Sequence, residues 1–385
     1  MHICMIAPEQ YPVPGDGSVE ICIWAIAREL ASRHTVTIVS RQAPGLPEAG
    51  ELEQVRMIRL ASGTPGRYLA SVLDYLEGEH FDLIQIDNRP RLMAAVKRHH
   101  PHTPVLLFLH SMTFVPAETR IARSLAKADL IAVNSRSLQH RLARRFHGLG
   151  GRIKVVPLGA DLTRFFPAEL PEKQQARRAY RLAPIFTVLF VGRIIPRKGV
   201  PTLIRAMRLL NMRLPAQLII AGQGKPRYIR QLKAMSRRLG VRALFTGKIA
   251  HEDIHGLYQA ADVFVCPSQR HESFGLVNVE AMASGLPVIA SNNGGIREII
   301  VSGHNGYLVD RYREAAPFAK YMLLMGRQPL LAARMGLQGR SDALQNFGWQ
   351  HTAAAMEELY RVLLPYEEKE YKEKNRMTPQ LRDNV

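Results

Sequence analysis

Residues 263–291 read VFVCPSQRHESFGLVNVEAMASGLPVIAS. An apolar run, Val263–Pro267, breaks at a Pro-Ser turn and gives way to a polar loop. A helical pattern, Leu276–Ser284, follows and leads into a second apolar run, Pro287–Ser291. Short apolar runs joined through a helix are the pattern of parallel strands buried on both faces. Glu272 and Glu280 bracket the turn Ser273-Phe274-Gly275, eight positions apart. In open parallel sheets ligands settle beyond the carboxyl ends of the strands, which is where this loop must lie. Gly275 lacks a Cβ, so a ligand can approach its backbone closely. The helix that starts beside it presents unpaired N–H groups, a seat for phosphate. Glu280, slightly more than a turn inside, is placed to accept hydrogen bonds from a ribose diol, and Glu272 faces whatever the phosphate carries.

The same alternation extends in both directions. His2–Ala7, Thr35–Ser40, Leu83–Asp87, Val105–His110, Leu130–Asn134 and Lys154–Pro157 read as strands, with Glu20–Ser32, Ala61–Glu77, Arg91–Arg98 and Arg120–Lys127 as helices between them. A loop and a charged helix within Gly159–Pro184 separate this series from a second one. Its strands are Thr187–Gly192, Gln217–Gly222, Ala243–Thr246, Val263–Pro267 and Pro287–Ser291. The helices there are Pro201–Leu210, Tyr228–Leu239, Glu252–Ala260 and Leu276–Ser284. The expected fold is α/β, with two doubly wound, Rossmann-like parallel-sheet domains spanning residues 1–165 and 166–345. A helix near 350–364 is expected to return to the first domain. The tail 366–385 is highly charged and poor in core residues, the composition of disorder.

The chain has 385 residues, 46% of them apolar, enough for two domains with cores of their own. Lys and Arg number 52 against 33 Asp and Glu, a net charge of +19 that calls for an anionic partner. Most of the excess lies in residues 166–345, and Lys225–Arg242 carries seven basic residues and no acidic one. Ser137–His147 reads as a helix with Leu138, Leu142 and Phe146 on one side and His140, Arg141, Arg144 and Arg145 beside them. That face suits peripheral contact with an anionic membrane, but no aromatic cluster accompanies it, and an ordinary core helix with a solvated basic side is the favoured reading. Nucleic acid is set aside, since no zinc-finger, RNP-type or basic-zipper signature occurs. Cys4, Cys22 and Cys266 form no CxxC pair and read as buried thiols of a reducing compartment. MHICMIAPEQY lacks the basic and apolar regions of a signal peptide, and no apolar run reaches the length of a membrane span. The expectation is a cytoplasmic protein, at most peripheral to the inner membrane face.

A second cluster sits in VGRIIPRKG, residues 191–199. Its strand ends at Gly192, Arg193 follows, and Lys198 comes five residues later, so two cations share a loop at a strand's carboxyl end. There they are placed to neutralise a diphosphate. Together with AGQGKPRY, HESFGLVNVEAMASGLPVIAS, NNGGIREII and NGYLV, this cluster resembles the retaining glycosyltransferases of family 4. The resemblance implies the GT-B architecture, two Rossmann-like domains facing a cleft, and a nucleotide diphosphate sugar as donor, UDP-sugars foremost. It implies that Arg193 and Lys198 contact the diphosphate, that Glu280 holds the ribose hydroxyls and that Glu272 touches the transferred sugar. The amides of Phe274, Gly275 and Leu276 would meet sugar or phosphate, with Gly192 beside them. The base would lie near Gly247 and Ile249, and His110 would reach the sugar or acceptor. The acceptor would be a glycan, a lipid-linked group or a small molecule, and no metal would be required.

Where the family carries a Gly-Gly pair after the first strand, this chain reads PVPGDGSVE, and Ser18 follows Gly17. A serine in that place narrows the approach of a phosphate to the backbone, so a weakly active or inactive coat-type binding protein stands as an alternative. A nucleotide-sugar epimerase of the same fold is another. PVP near residue 12, NRP at Asn88–Pro90 and NFGW at Asn346–Trp349 are similar to the spore-coat members of the family. His251-Glu252-Asp253-Ile254-His255 fits the zinc-protease pattern HExxH. No third ligand follows at a usual spacing, and the segment reads instead as a helix start whose acids suit the macrodipole.

Overall fold

The computed structural model describes residues 1–10 and 12–364. The segment 366–385, expected to be disordered, lies outside the described residues. The chain divides into two units. One comprises Met1–Val133, Arg141–Val156 and the described residues from Thr352; the other comprises Asn134–His140 and Pro157–His351.

The first unit is built on eight strands: β1 (His2–Ile6), β2 (Thr35–Arg41), β3 (Ala49–Leu52), β4 (Val55–Leu60), β5 (Leu83–Asp87), β6 (Val105–Leu109), β7 (Leu130–Val133) and β8 (Ile153–Val155). They are ordered β3-β4-β2-β1-β5-β6-β7-β8. All neighbours are parallel except β3 and β4. The second unit has six: β9 (Phe186–Val191), β10 (Ala216–Ala221), β11 (Ala243–Gly247), β12 (Val263–Cys266), β13 (Val288–Ser291) and β14 (Gly306–Val309). Their order is β11-β10-β9-β12-β13-β14, parallel throughout. This is the doubly wound order in which successive crossovers move one way from the first strand and then back past it. The reversal falls between β1 and β5 in the first sheet and between β9 and β12 in the second. Central strands such as LIQID, FTVLFV and AQLIIA are buried along nearly their whole length, so their sequences run apolar rather than alternating. In the second unit Leu203, Met207, Phe318 and Met322 of the flanking helices close over Val188, Leu218 and Ile220 of the sheet.

The sequence reading missed the pair β3–β4. Glu53 and Gln54, which join these strands, both have positive φ (46° and 66°), as a two-residue type I′ turn requires. Asn or Gly usually marks such a turn, and neither is present. The boundary between the units also falls earlier than 165, at Val156–Pro157. Phe165 is buried edge-on against Tyr258, 5.5 Å between centroids, and Ala160 bridges Gly348, so 157–165 pack with the second unit. Trp349–Leu363 forms the expected closing helix. Its Glu357 pairs with Arg33 at 2.8 Å, and its Tyr360 is buried in the first unit. Among the described residues no helix is long and apolar enough to cross a membrane.

Candidate active site

In the second unit the loops after β9, β10 and β11 are laced together by their backbones. Gly192 N donates to Ala221 O (3.0 Å), Ile194 N to Gln223 O (2.6 Å) and Gly222 N to Gly247 O (2.8 Å). Gly192, Gly247 and the half-buried Ile249 therefore lie along one carboxyl edge. The loops after β9 and β12 flank the reversal of strand order, the position at which doubly wound sheets open a crevice. Arg193 is exposed on the first of these loops, and its guanidinium has no hydrogen-bond or ion-pair partner among the described residues. Lys198 closes a 3-10 turn, Pro196–Lys198, and its Nζ donates to Glu272 Oε2 on the second loop at 2.6 Å. Ser268 Oγ donates to the same oxygen at 3.1 Å. Burial alone would raise the Glu272 pKa; the charge and hydrogen bond of Lys198, the Ser268 hydroxyl and the nearby Arg197 outweigh it and hold the carboxyl below its ordinary value.

The loop that carries Glu272 is held from behind by the glycine pair of NNGGIREII. Gly295 N donates to Glu272 O at 2.8 Å, and a Cβ on Gly294, whose φ is +63°, would come within 2.0 Å of that carbonyl oxygen. Gly275 has φ +101° and precedes the helix Leu276–Ala283 as its cap residue. Asn278 Nδ2 donates back to Gly275 O at 2.9 Å and fixes the turn. The Phe274 side chain is buried edge-on against Phe347, so only its backbone is available to a ligand.

Glu280 is 3% exposed and already engaged. Tyr258 OH donates to its Oε2 at 2.7 Å, and His251 Nε2 lies 3.1 Å from its Oε1. Burial and the adjacent carboxylate push the Tyr258 hydroxyl pKa well up, which keeps it a proton donor. The HExxH segment has a different use from both sequence readings: the helix begins only at His255, residues 251–254 form a turn, and His251 faces Glu280. Among the described residues no group of three or more His, Cys, Asp and Glu side chains is placed to hold a metal ion. Sequence reasoning missed Ser268, His251 and Tyr258 as partners of the two glutamates. Nothing local signals His251 or Tyr258, which stand 29 and 22 residues from Glu280 and meet it only through the fold; Ser268, four residues before Glu272 on the same loop, was within reach of a local reading.

Gly17, Ser18 and His110 belong to the first unit. Gly17 precedes the helix Ser18–Ala31 with an ordinary extended backbone (φ −82°, ψ 149°). A Cβ there would fall 2.5 Å from both carboxylate oxygens of Glu20, because that side chain folds back over the helix start. Burial raises the Glu20 pKa, partly offset by the backbone N–H groups of Glu20 and Gly17. Ser18 is exposed at the first helical position. His110, at the end of β6, is buried with Nε2 2.8 Å from Asp87 Oδ1, and its backbone N–H donates to Asn88 Oδ1 at 2.8 Å.

The profile described as "Glycosyl transferases group 1" matches residues 173–342, and "Glycosyltransferase Family 4" matches 19–164. Spore coat protein SA of Bacillus subtilis is 30% identical over 94% of this chain and 99% of its own length. The chain belongs to the family 4 and group 1 glycosyl transferases. Sucrose-phosphate synthase from Thermosynechococcus elongatus superposes with a TM-score of 0.80 at 25% identity, over 94% of this chain and 99% of its own. Anabaena HepE, solved with UDP-glucose, gives 0.79 at 22% identity, over 94% and 100%. The fold of this glycosyltransferase is thus GT-B, with two Rossmann-like domains in one chain.

Proposed function

We propose that this glycosyltransferase moves a hexose from a nucleotide diphosphate sugar, a UDP-sugar foremost, to a hydroxyl of a glycan, lipid-linked or small-molecule acceptor, with retention at the anomeric carbon. The observation that carries this reading is the unpartnered Arg193 beside the Lys198–Glu272 pair, on the two loops that flank the strand reversal. In the reaction the bond from the anomeric carbon to the phosphate oxygen breaks and a bond to the acceptor oxygen forms on the same face. The acceptor proton passes to the departing diphosphate. Negative charge grows on that leaving group, and preset cations act most strongly on charge of this kind. Arg193, Lys198 and the N–H groups at the Gly275 turn supply them, so the transfer needs no metal. Glu272 orients sugar hydroxyls, and Glu280, with His251 and Tyr258 set around it, reads the ribose. Gly192, Gly247, Ile249, Phe274 and Leu276 line the donor seat through their backbones and surfaces. Of the first unit, His110 serves the sugar or acceptor, and the family resemblance gives the backbone of Gly17 and Ser18 to the donor phosphate. HepE, which has the same fold, was solved with UDP-glucose, so UDP-glucose is the first donor to try.

One observation favours a second reading, binding without turnover. The Glu20 carboxylate covers the Gly17 amide that the family resemblance gives to the donor phosphate. A panel of UDP-, GDP-, ADP- and dTDP-sugars, followed by thermal shift and by release of the nucleotide with and without acceptor, separates the two. A stabilising UDP-sugar that is turned over supports transfer. Stabilisation without transfer or slow hydrolysis supports the second reading, and no stabilisation by any of them ends both.

A further inference from the structure

Between Glu172 and Glu252 the sequence carries 18 Lys and Arg and not one carboxylate. Arg193, Arg197 and Lys198 belong to the donor loops, but many of the others are far from them. Helices in a doubly wound unit run back against the strands, so their carboxyl ends lie at the opposite end of the sheet from the donor loops. The 12-residue helix Val200–Asn211 alone separates the two ends by about 18 Å.

Three helices end together there. Arg208 of the first donates to Leu239 O at 3.2 Å, which brings it to the end of Pro226–Arg238. Arg327, the last residue of Ala315–Arg327, donates to Arg213 O at 3.4 Å. Arg213, Arg237, Arg238 and Arg242 are exposed around these junctions. Cations at helix ends are expected from the macrodipole alone. Large apolar side chains standing in water among them are not: Leu209 is 40% exposed, Met212 74% and Leu330, three residues beyond Arg327, 87%. On Val200–Asn211 and the residue that follows it, Arg205, Arg208, Leu209 and Met212 fall at helical spacing on one side, so charge and apolar surface share a face.

We propose that this end of the second unit docks on an anionic lipid bilayer, with the arginines at the headgroup level and Met212, Leu209 and Leu330 in the interfacial layer. Anionic headgroups attract each cation near the surface, and exposed aliphatic side chains gain only where an apolar phase receives them. A nucleic-acid backbone satisfies the charge but leaves those three side chains in water, so the bilayer fits the patch better. The helix Arg136–Arg145, the other basic candidate, buries Leu138 and Leu142 in the fold and has no such apolar surface to give. This inference goes beyond the donor site and stands apart from it, because the residues involved lie at the other end of the sheet.

Co-sedimentation of the full chain with vesicles of phosphatidylcholine and phosphatidylglycerol in a three-to-one ratio, beside vesicles of phosphatidylcholine alone, tests it. The expected result is binding to the mixed vesicles only, weakened by salt. The triple variant Arg213→Glu, Arg237→Glu, Arg242→Glu should lower the partition on the order of 100-fold or more. Met212→Ser with Leu209→Ser should lower it several-fold at high salt, where charge is screened. A wild type that ignores the mixed vesicles overturns the proposal. So does a triple variant that binds them as well as wild type, or a wild type that prefers a DNA duplex to the vesicles under the same salt. Thermal melting and UDP titration of each variant confirm that the fold and the donor site are unaltered, so loss of vesicle binding is read on a folded protein.

Discussion

Lys198 Nζ lies 2.6 Å from Glu272 Oε2, so a cation from the loop after β9 and a carboxylate from the loop after β12 neutralise each other across the strand reversal. Both side chains are largely shielded, at 15% and 20% exposure. Under the proposed function an arriving diphosphate would share Lys198 with Glu272. Lys198→Met leaves the carboxylate with the Ser268 hydroxyl in a partly shielded place. The expected outcomes are a loss of UDP affinity of 10-fold or more by calorimetry and a stability loss of about 1–3 kcal/mol by urea denaturation. Unchanged affinity would remove Lys198 from the donor site whatever the stability result.

Arg193 gives a cleaner separation. Its guanidinium is exposed and unpartnered among the described residues, so Arg193→Ala should shift stability by no more than about 0.5 kcal/mol. A charge-assisted hydrogen bond to phosphate is worth about 1.5–3 kcal/mol, so UDP affinity should fall roughly 10- to 150-fold. A variant that melts with wild type and binds UDP equally well would place this arginine outside the site.

The Glu272 carboxyl has a folded pKa below its ordinary value of 4.5. A group depressed in this way contributes stability above the unfolded pKa and loses it as pH falls through the folded one. The difference in melting temperature between wild type and Glu272→Gln should therefore stay constant above about pH 5 and shrink as the solution is acidified below 4.5. A difference that grows on acidification would mean that burial, rather than Lys198, sets this carboxyl.

The residues that the sequence revealed are those whose chemistry is local. Arg193 and Lys198 share one loop, and Glu272, Gly275 and Glu280 share one strand–turn–helix, so their spacing alone predicts a common edge. The partners His251 and Tyr258 were invisible as partners because the buried Glu280 demands donors that only tertiary packing supplies, whereas Ser268 stands four residues before Glu272 on the same loop and was simply passed over. His251 even carried a misleading local pattern, since HExxH presupposes one continuous helix and residues 251–254 are a turn. The hairpin at Glu53–Gln54 was missed for the converse reason: neighbouring strands impose a positive φ that neither residue advertises.

Gly294→Ala tests the support of the Glu272 loop. The added methyl meets the Glu272 carbonyl oxygen at 2.0 Å, and the backbone there is left-handed, so the loop must move. A stability loss of about 1–3 kcal/mol is expected, together with a fall in donor affinity although no ligand-facing side chain has changed. Retained affinity would show that the glycine pair does not position Glu272.

In the first unit a buried chain of hydrogen bonds reaches His110. Tyr360 OH donates to Gln85 Oε1 at 2.5 Å, Gln85 Nε2 donates to Asp87 Oδ2 at 2.8 Å, and Asp87 Oδ1 lies 2.8 Å from His110 Nε2. The tyrosine can only donate here, because burial pushes its pKa up, so the Gln85 amide is fixed with its NH2 group toward Asp87. A carboxylate that accepts from Gln85 on one oxygen accepts from His110 on the other, and Nε2 therefore carries a proton. In Asp87→Asn the new amide must still turn its oxygen to Gln85. Its NH2 group then faces Nε2, which becomes an acceptor, and the proton of the neutral ring moves to Nδ1. If His110 acts on substrate through Nδ1, this swap should lower kcat by two or more orders of magnitude while UDP affinity holds within a few-fold. Nitrogen NMR of the imidazole reads the tautomer directly. A swapped tautomer with unaltered turnover would confine His110 to a structural role, and an unswapped one would break the chain of inference at Gln85.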